Sequence, residues 1–137
     1  GVFNGIFYNA STTLKPTWSN WYNQPITPAN SENLTCFVID NPFQLFVASM
    51  DAAAAQTEYG KTYSFTAAVP TGSEISGQCS NTLDYTNRSP TANQWRLVRT
   101  AEDPENKDIS AAYTSVVVAH NLNQYAQNTG TAGITWQ

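Results

Sequence analysis

The side chains that carry most protein chemistry are scarce in this sequence. Among 137 residues there is one histidine, His120, and two cysteines, Cys36 and Cys79. Three or four ligands at short spacing are needed to hold zinc, so a dedicated zinc centre is nearly excluded. The sequence shows no nucleophile elbow and no serine or cysteine at a spacing recognisable as catalytic with His120. Glu102, Asp103, Glu105 and Asp108 lie within one polar stretch and read as a solvated acidic loop, not as a pair of catalytic carboxylates. The expectation is a protein that is not an enzyme and holds no metal or cofactor.

What the chain does offer is aromatic and amide chemistry. Aromatic residues make up 12% and charged residues 12%, the latter about half the usual share. A net charge of −4 leaves no basic surface, so nucleic acid and anionic membranes are poor partners. No apolar run approaches the ~20 residues of a spanning helix. Three sequons, at Asn9, Asn33 and Asn87, suggest glycosylation and a secreted protein. The sequence opens at Gly1 without an apolar leader, which fits a processed secretory chain. In that compartment Cys36 and Cys79 either form a disulfide, stabilising by roughly 4 kcal/mol in the chain-entropy picture, or remain two buried thiols. Trp18, Trp21 and Tyr59 raise the alternative of carbohydrate binding.

The elements that must position these groups are strands. Runs rich in β-branched and aromatic residues recur near 3–9, 11–15, 17–24, 33–40, 61–69, 73–81, 93–100 and 113–123, separated by Pro, Gly, Asn and Asp clusters. Gln44–Ala48 adds a possible short strand, and Asp51 a possible cap for a helical turn within 49–58. Eight short-linked strands in a single domain, 1–137, predict an all-β fold, an antiparallel up-and-down barrel or a sandwich. Alternation places Trp95, Leu97 and Arg99 on one face of their strand. The run 113–121 is apolar on both faces, which suggests a homo-oligomer contacting through Val116, Val118 and His120, or a strand covered by its own loops.

Taken together, the segments Gly5-Ile6-Phe7-Tyr8-Asn9, Thr17–Tyr22, Phe65–Val69, Ser76–Cys79, Asn93–Arg99 and Tyr113–Asn121 resemble, in order, strands of the avidin/streptavidin family of biotin-binding proteins. Residues 25–60 form an insertion relative to that family, and the tail from Gly130 to Gln137 also lies outside the match. The resemblance implies an eight-stranded antiparallel barrel whose mouth binds biotin or a biotin-like ligand. Asn9, Ser11 and Tyr22 would then aim donors at the urea oxygen, and Asn121 would accept a urea N–H. Ser73 would lie near the sulfur and Thr71 near the carboxylate, with Trp95 as the main aromatic wall.

Departures from the family pattern bear on affinity. Val69 and Ile75 stand where the family has wall aromatics, and Tyr113 replaces a Trp supplied by a neighbouring subunit. Each lost wall removes apolar contact at ~25 cal/mol per Å², so the resemblance implies reduced affinity. Arg96 stands where the family usually has an apolar contact residue. The competing expectation is an extracellular structural or defence glycoprotein that keeps the barrel without a working pocket.

Overall fold

The computed structural model of the protein describes residues 1–22, 26–31, 33–66, 71–73, 75–76, 79–104 and 108–123. The fold is all-β and antiparallel. Its strands are β1 (Val2–Asn9), β2 (Pro16–Ser19), β3 (Thr35–Ile39), β4 (Leu45–Ser49), β5 (Thr62–Tyr63), β6 (Trp95–Thr100) and β7 (Ser115–His120). They form two sheets, a three-stranded one ordered β2-β1-β3 and a four-stranded one ordered β4-β7-β6-β5. The chain divides into two compact units, Gly1–Asp40 with Thr71–Cys79, and Asn41–Pro70 with Ser80–Gln137. Among the described residues there are seven strands rather than eight, and no ladder closes either sheet into a barrel.

In the first unit β1 and β2 make a hairpin whose register runs from Ile6 opposite Ser19 to Asn9 opposite Pro16. The expected strand at 11–15 is instead the turn of this hairpin. Ala10 donates to the Lys15 carbonyl, Leu14 donates to Ala10, and Leu14 takes a left-handed φ of 53°. The β-branched pair Thr12-Thr13 favours extension, but closing the hairpin overrides that local preference. Strand 73–81 is likewise reduced to the single bridge Gly72–Cys79 among the described residues.

In the second unit the core lies on one face of the four-stranded sheet. Cross-strand pairs Phe46–Val118–Leu97, Ala48–Val116–Thr100 and Trp95–His120 stack along that face, joined by buried Met50, Tyr63 and Leu83. The register shifts between Leu97 and Arg99. This bulge sends Arg99 to the outer face, opposite Val117, so it does not share the Trp95 and Leu97 face as simple alternation predicts. Gln44–Ala48 is correctly a strand, displaced by one residue. Within 49–58 the helical turn is a 3₁₀ turn at Gln56–Glu58, following the end of β4 at Ser49, and the Asp51 carboxylate accepts from the Tyr85 N–H instead of capping it. Gly60, at φ 84°, then reverses the chain so that its N–H and the Lys61 carbonyl both pair with Leu97 on β6.

Candidate functional site

Trp95 is the best-placed of the expected ligand residues. β6 directs it into the second unit, where it is only 5% exposed. Its indole stacks on the His120 ring at a centroid separation of 4.6 Å and an interplanar angle of 27°. Phe46 meets both rings edge-on at 5.6 and 5.2 Å, and Phe65 lies tilted against Trp95 at 5.7 Å. Phe65 is the most exposed of the four rings. Among the described residues none accepts a hydrogen bond from the buried Trp95 Nε1–H. A buried donor left in that state costs about 1–3 kcal/mol, which any acceptor atom reaching it would recover.

Asn121, the expected acceptor for a urea N–H, is engaged elsewhere. Its Oδ1 accepts from the Arg96 guanidinium at 2.8 Å, and its Nδ2 donates to the carbonyls of Thr91 at 2.9 Å and Asn93 at 2.7 Å. The two Nδ2 contacts thus staple the loop before β6 to the end of β7, and the Oδ1 contact ties that end to Arg96 on β6. Arg96 is paired with Ala119, on the opposite face of the sheet from the Trp95–His120 pair. Trp95 and Asn121 therefore work on different sides of one ladder.

The other expected ligand residues scatter. Asn9 ends β1 opposite Pro16, Ser11 is exposed in the hairpin turn, and Tyr22 is exposed after β2. Thr71, Ser73 and Ile75 are exposed, Ile75 almost fully, and Ser73 Oγ accepts from the Ser76 N–H. Tyr113 is 71% exposed at a left-handed φ of 64° just before β7. Val69 lies outside the described residues.

Three further expectations are corrected. Cys36 and Cys79 are not bonded to each other; both are free and exposed, Cys36 on β3 and Cys79 in the bridge to Gly72. They are also not the buried thiols of the other reading. Val116, Val118 and His120, assigned to a contact between copies, are buried in the chain's own core. The outward Val117 is covered too, beside Val47, Arg99 and the loop Ala101–Pro104, which line an open depression of about 600 Å³. Apolar character on both faces of β7 thus comes from burial within the chain itself.

Glu102 meets Arg99 at 3.2 Å, and the Asp108 carboxylate, held below the usual range by hydrogen bonds from Ser110, closes a local turn. Glu105 lies outside the described residues. Among the described residues no group of His, Cys, Asp and Glu is placed to hold a metal. The sequons differ: Asn33 and Asn87 are exposed, whereas Asn9 is half-buried in the hairpin.

The sequence reading missed one polar centre. Glu58 is 4% exposed and accepts from the Tyr63 hydroxyl at 2.8 Å and Lys61 Nζ at 2.9 Å, with Arg88 Nε at 3.3 Å. Burial pushes its carboxyl up, but these hydrogen bonds and the charges of Lys61 and Arg88 outweigh that and hold it below the ordinary value. Burial and the neighbouring carboxylate push the Tyr63 phenol up. Arg88 also lies 4.1 Å over the Tyr85 ring. With every partner satisfied, the cluster ties the Glu58 turn to β5 and to the Tyr85–Arg88 loop. The Glu58–Lys61–Tyr63 spacing was its only signal.

No family model, no curated protein and no solved structure matches this chain.

Proposed function

We propose that this is a secreted, non-catalytic protein that binds a small molecule against Trp95, with biotin or a similar cyclic urea as the first candidate. The observation that supports this reading is the buried Trp95 N–H, unpaired among the described residues, within a nest of three further rings. A ligand with an apolar ring and a carbonyl oxygen supplies both the stacking surface and the missing acceptor. The choice of biotin rests on the ordered resemblance of the strands. Because Asn121 is committed to Arg96 and the preceding loop, the urea would lack one acceptor, and binding is weak. Closure into an eight-stranded barrel is the finer form of the same proposal, as is a homo-oligomer, which would have to use surfaces other than Val116, Val118 and His120.

Retention on biotin-agarose with elution by free biotin tests the reading. Passage of the folded protein without delay opposes it and favours the second reading, a structural or defence glycoprotein without a pocket. The engagement of the Asn121 amide with Arg96 and with the Thr91 and Asn93 carbonyls is the observation on that side.

A further inference from the structure

A second group of aromatic side chains lies on the three-stranded sheet of the first unit. Phe7 on β1 is the direct cross-strand partner of Trp18 on β2, and Gly5 on β1 is the partner of Phe37 on β3. Gly5 and Phe7 are two residues apart on one strand, so all four positions share a face. A Cβ on Gly5 would collide with the Trp18 benzene ring, coming within 2.8 Å of its Cη2. Trp18 therefore rests on the bare backbone of Gly5. The Phe37 ring lies 5.0 Å away at 56°. Trp18 Nε1 donates to Asn20 Oδ1 at 2.7 Å, which fixes the indole about its own axis. Trp18, Phe37 and Phe7 nonetheless remain 47%, 45% and 41% exposed.

We propose that this platform binds a neutral oligosaccharide of β-linked pyranoses. Such a sugar presents a flat face of C–H groups and a rim of hydroxyls. The outer faces of the Trp18 and Phe37 rings match the first, and the exposed Asn20 amide stands beside the indole to meet the second. Charge agrees: the platform positions Gly5, Phe7, Trp18 and Phe37 and the neighbouring Asn20 are all uncharged residues, in a stretch 1–40 whose sequence holds only Lys15, Glu32 and Asp40 as charged residues. A neutral ligand docks here without stripping water from an ion. A second copy of the chain is the poorer occupant. Three half-exposed rings offer roughly 300 Å², well below the ~800 Å² per partner of a stable interface.

The test titrates the full-length protein with cellohexaose and, separately, chitohexaose by calorimetry, with the indole N–H signals followed by NMR. At least one hexasaccharide binds and shifts one indole signal, which is absent in Trp18→Ala. Trp18→Ala weakens binding about tenfold or more and Trp18→Phe about threefold, while Trp95→Phe leaves it unchanged. That last comparison separates this site from the one proposed around Trp95. No binding of either sugar by the folded wild type up to about 10 mM overturns the proposal, as does undiminished binding by a folded Trp18→Ala protein. A Trp18-dependent dimer indifferent to sugar also overturns it and assigns the patch to a second copy. Where Trp18→Ala does not fold, Asn20→Ala and Phe37→Ala decide in the same way.

Discussion

Trp95 and His120 are direct partners in the β6–β7 ladder, and their rings stack face to face with centroids 4.6 Å apart. The pair sits where a ligand wall was expected, yet it is also the centre of a packed core. The two roles separate by substitution. Trp95→Phe keeps a ring in place and removes the unpaired N–H, so stability changes by less than about 1.5 kcal/mol. Trp95→Ala empties the nest and costs about 3–5 kcal/mol in urea unfolding.

Glu58 gives the fold a dependence on acid. Its carboxyl is held below its unfolded value. The stability it contributes is therefore complete above the ordinary glutamate range and is lost as pH falls through the lower, folded value. Urea midpoints are expected to fall on acidification, with a smaller loss in Glu58→Gln. At neutral pH that substitution costs about 1–3 kcal/mol, less than for a fully buried pair, because Lys61 and Arg88 remain about a third exposed.

Asn121 is a loop staple. Asn121→Ala removes three short contacts and leaves two backbone carbonyls and the Arg96 guanidinium to find other partners. The expected cost is about 1–3 kcal/mol in thermal or urea unfolding. Hydrogen exchange should quicken in residues 91–94 before it does in the β4–β7 ladder.

Both thiols are open to reagent. Ellman's reagent added to the native protein is expected to titrate Cys36 and Cys79 without denaturant, and the intact mass to show no loss of two hydrogens. A Cys36→Ser, Cys79→Ser double variant is expected to keep the wild-type melting temperature.

The strand content was legible wherever alternation and β-branching agreed with burial, as in Trp95–Thr100 and Ser115–His120. It failed at 11–15, where a hairpin needed a turn, and at Arg99, where a bulge no pattern announces exchanged the two faces. Trp95 could be picked out as a buried aromatic. Its neighbours Phe46 and Phe65 could not, since they come from segments separated by dozens of residues. Cys36 and Cys79 were paired by compartment logic alone, and spacing in sequence carries no information on the distance between two sulfurs.

The central claim is that a small ligand meets the Trp95 indole. Calorimetric titration of the wild type and of Trp95→Phe with biotin to about 1 mM tests it most directly. A weak, saturable heat is expected from the wild type and is lost in the folded Trp95→Phe protein. No heat from the folded wild type, or an equal heat from both proteins, would contradict it.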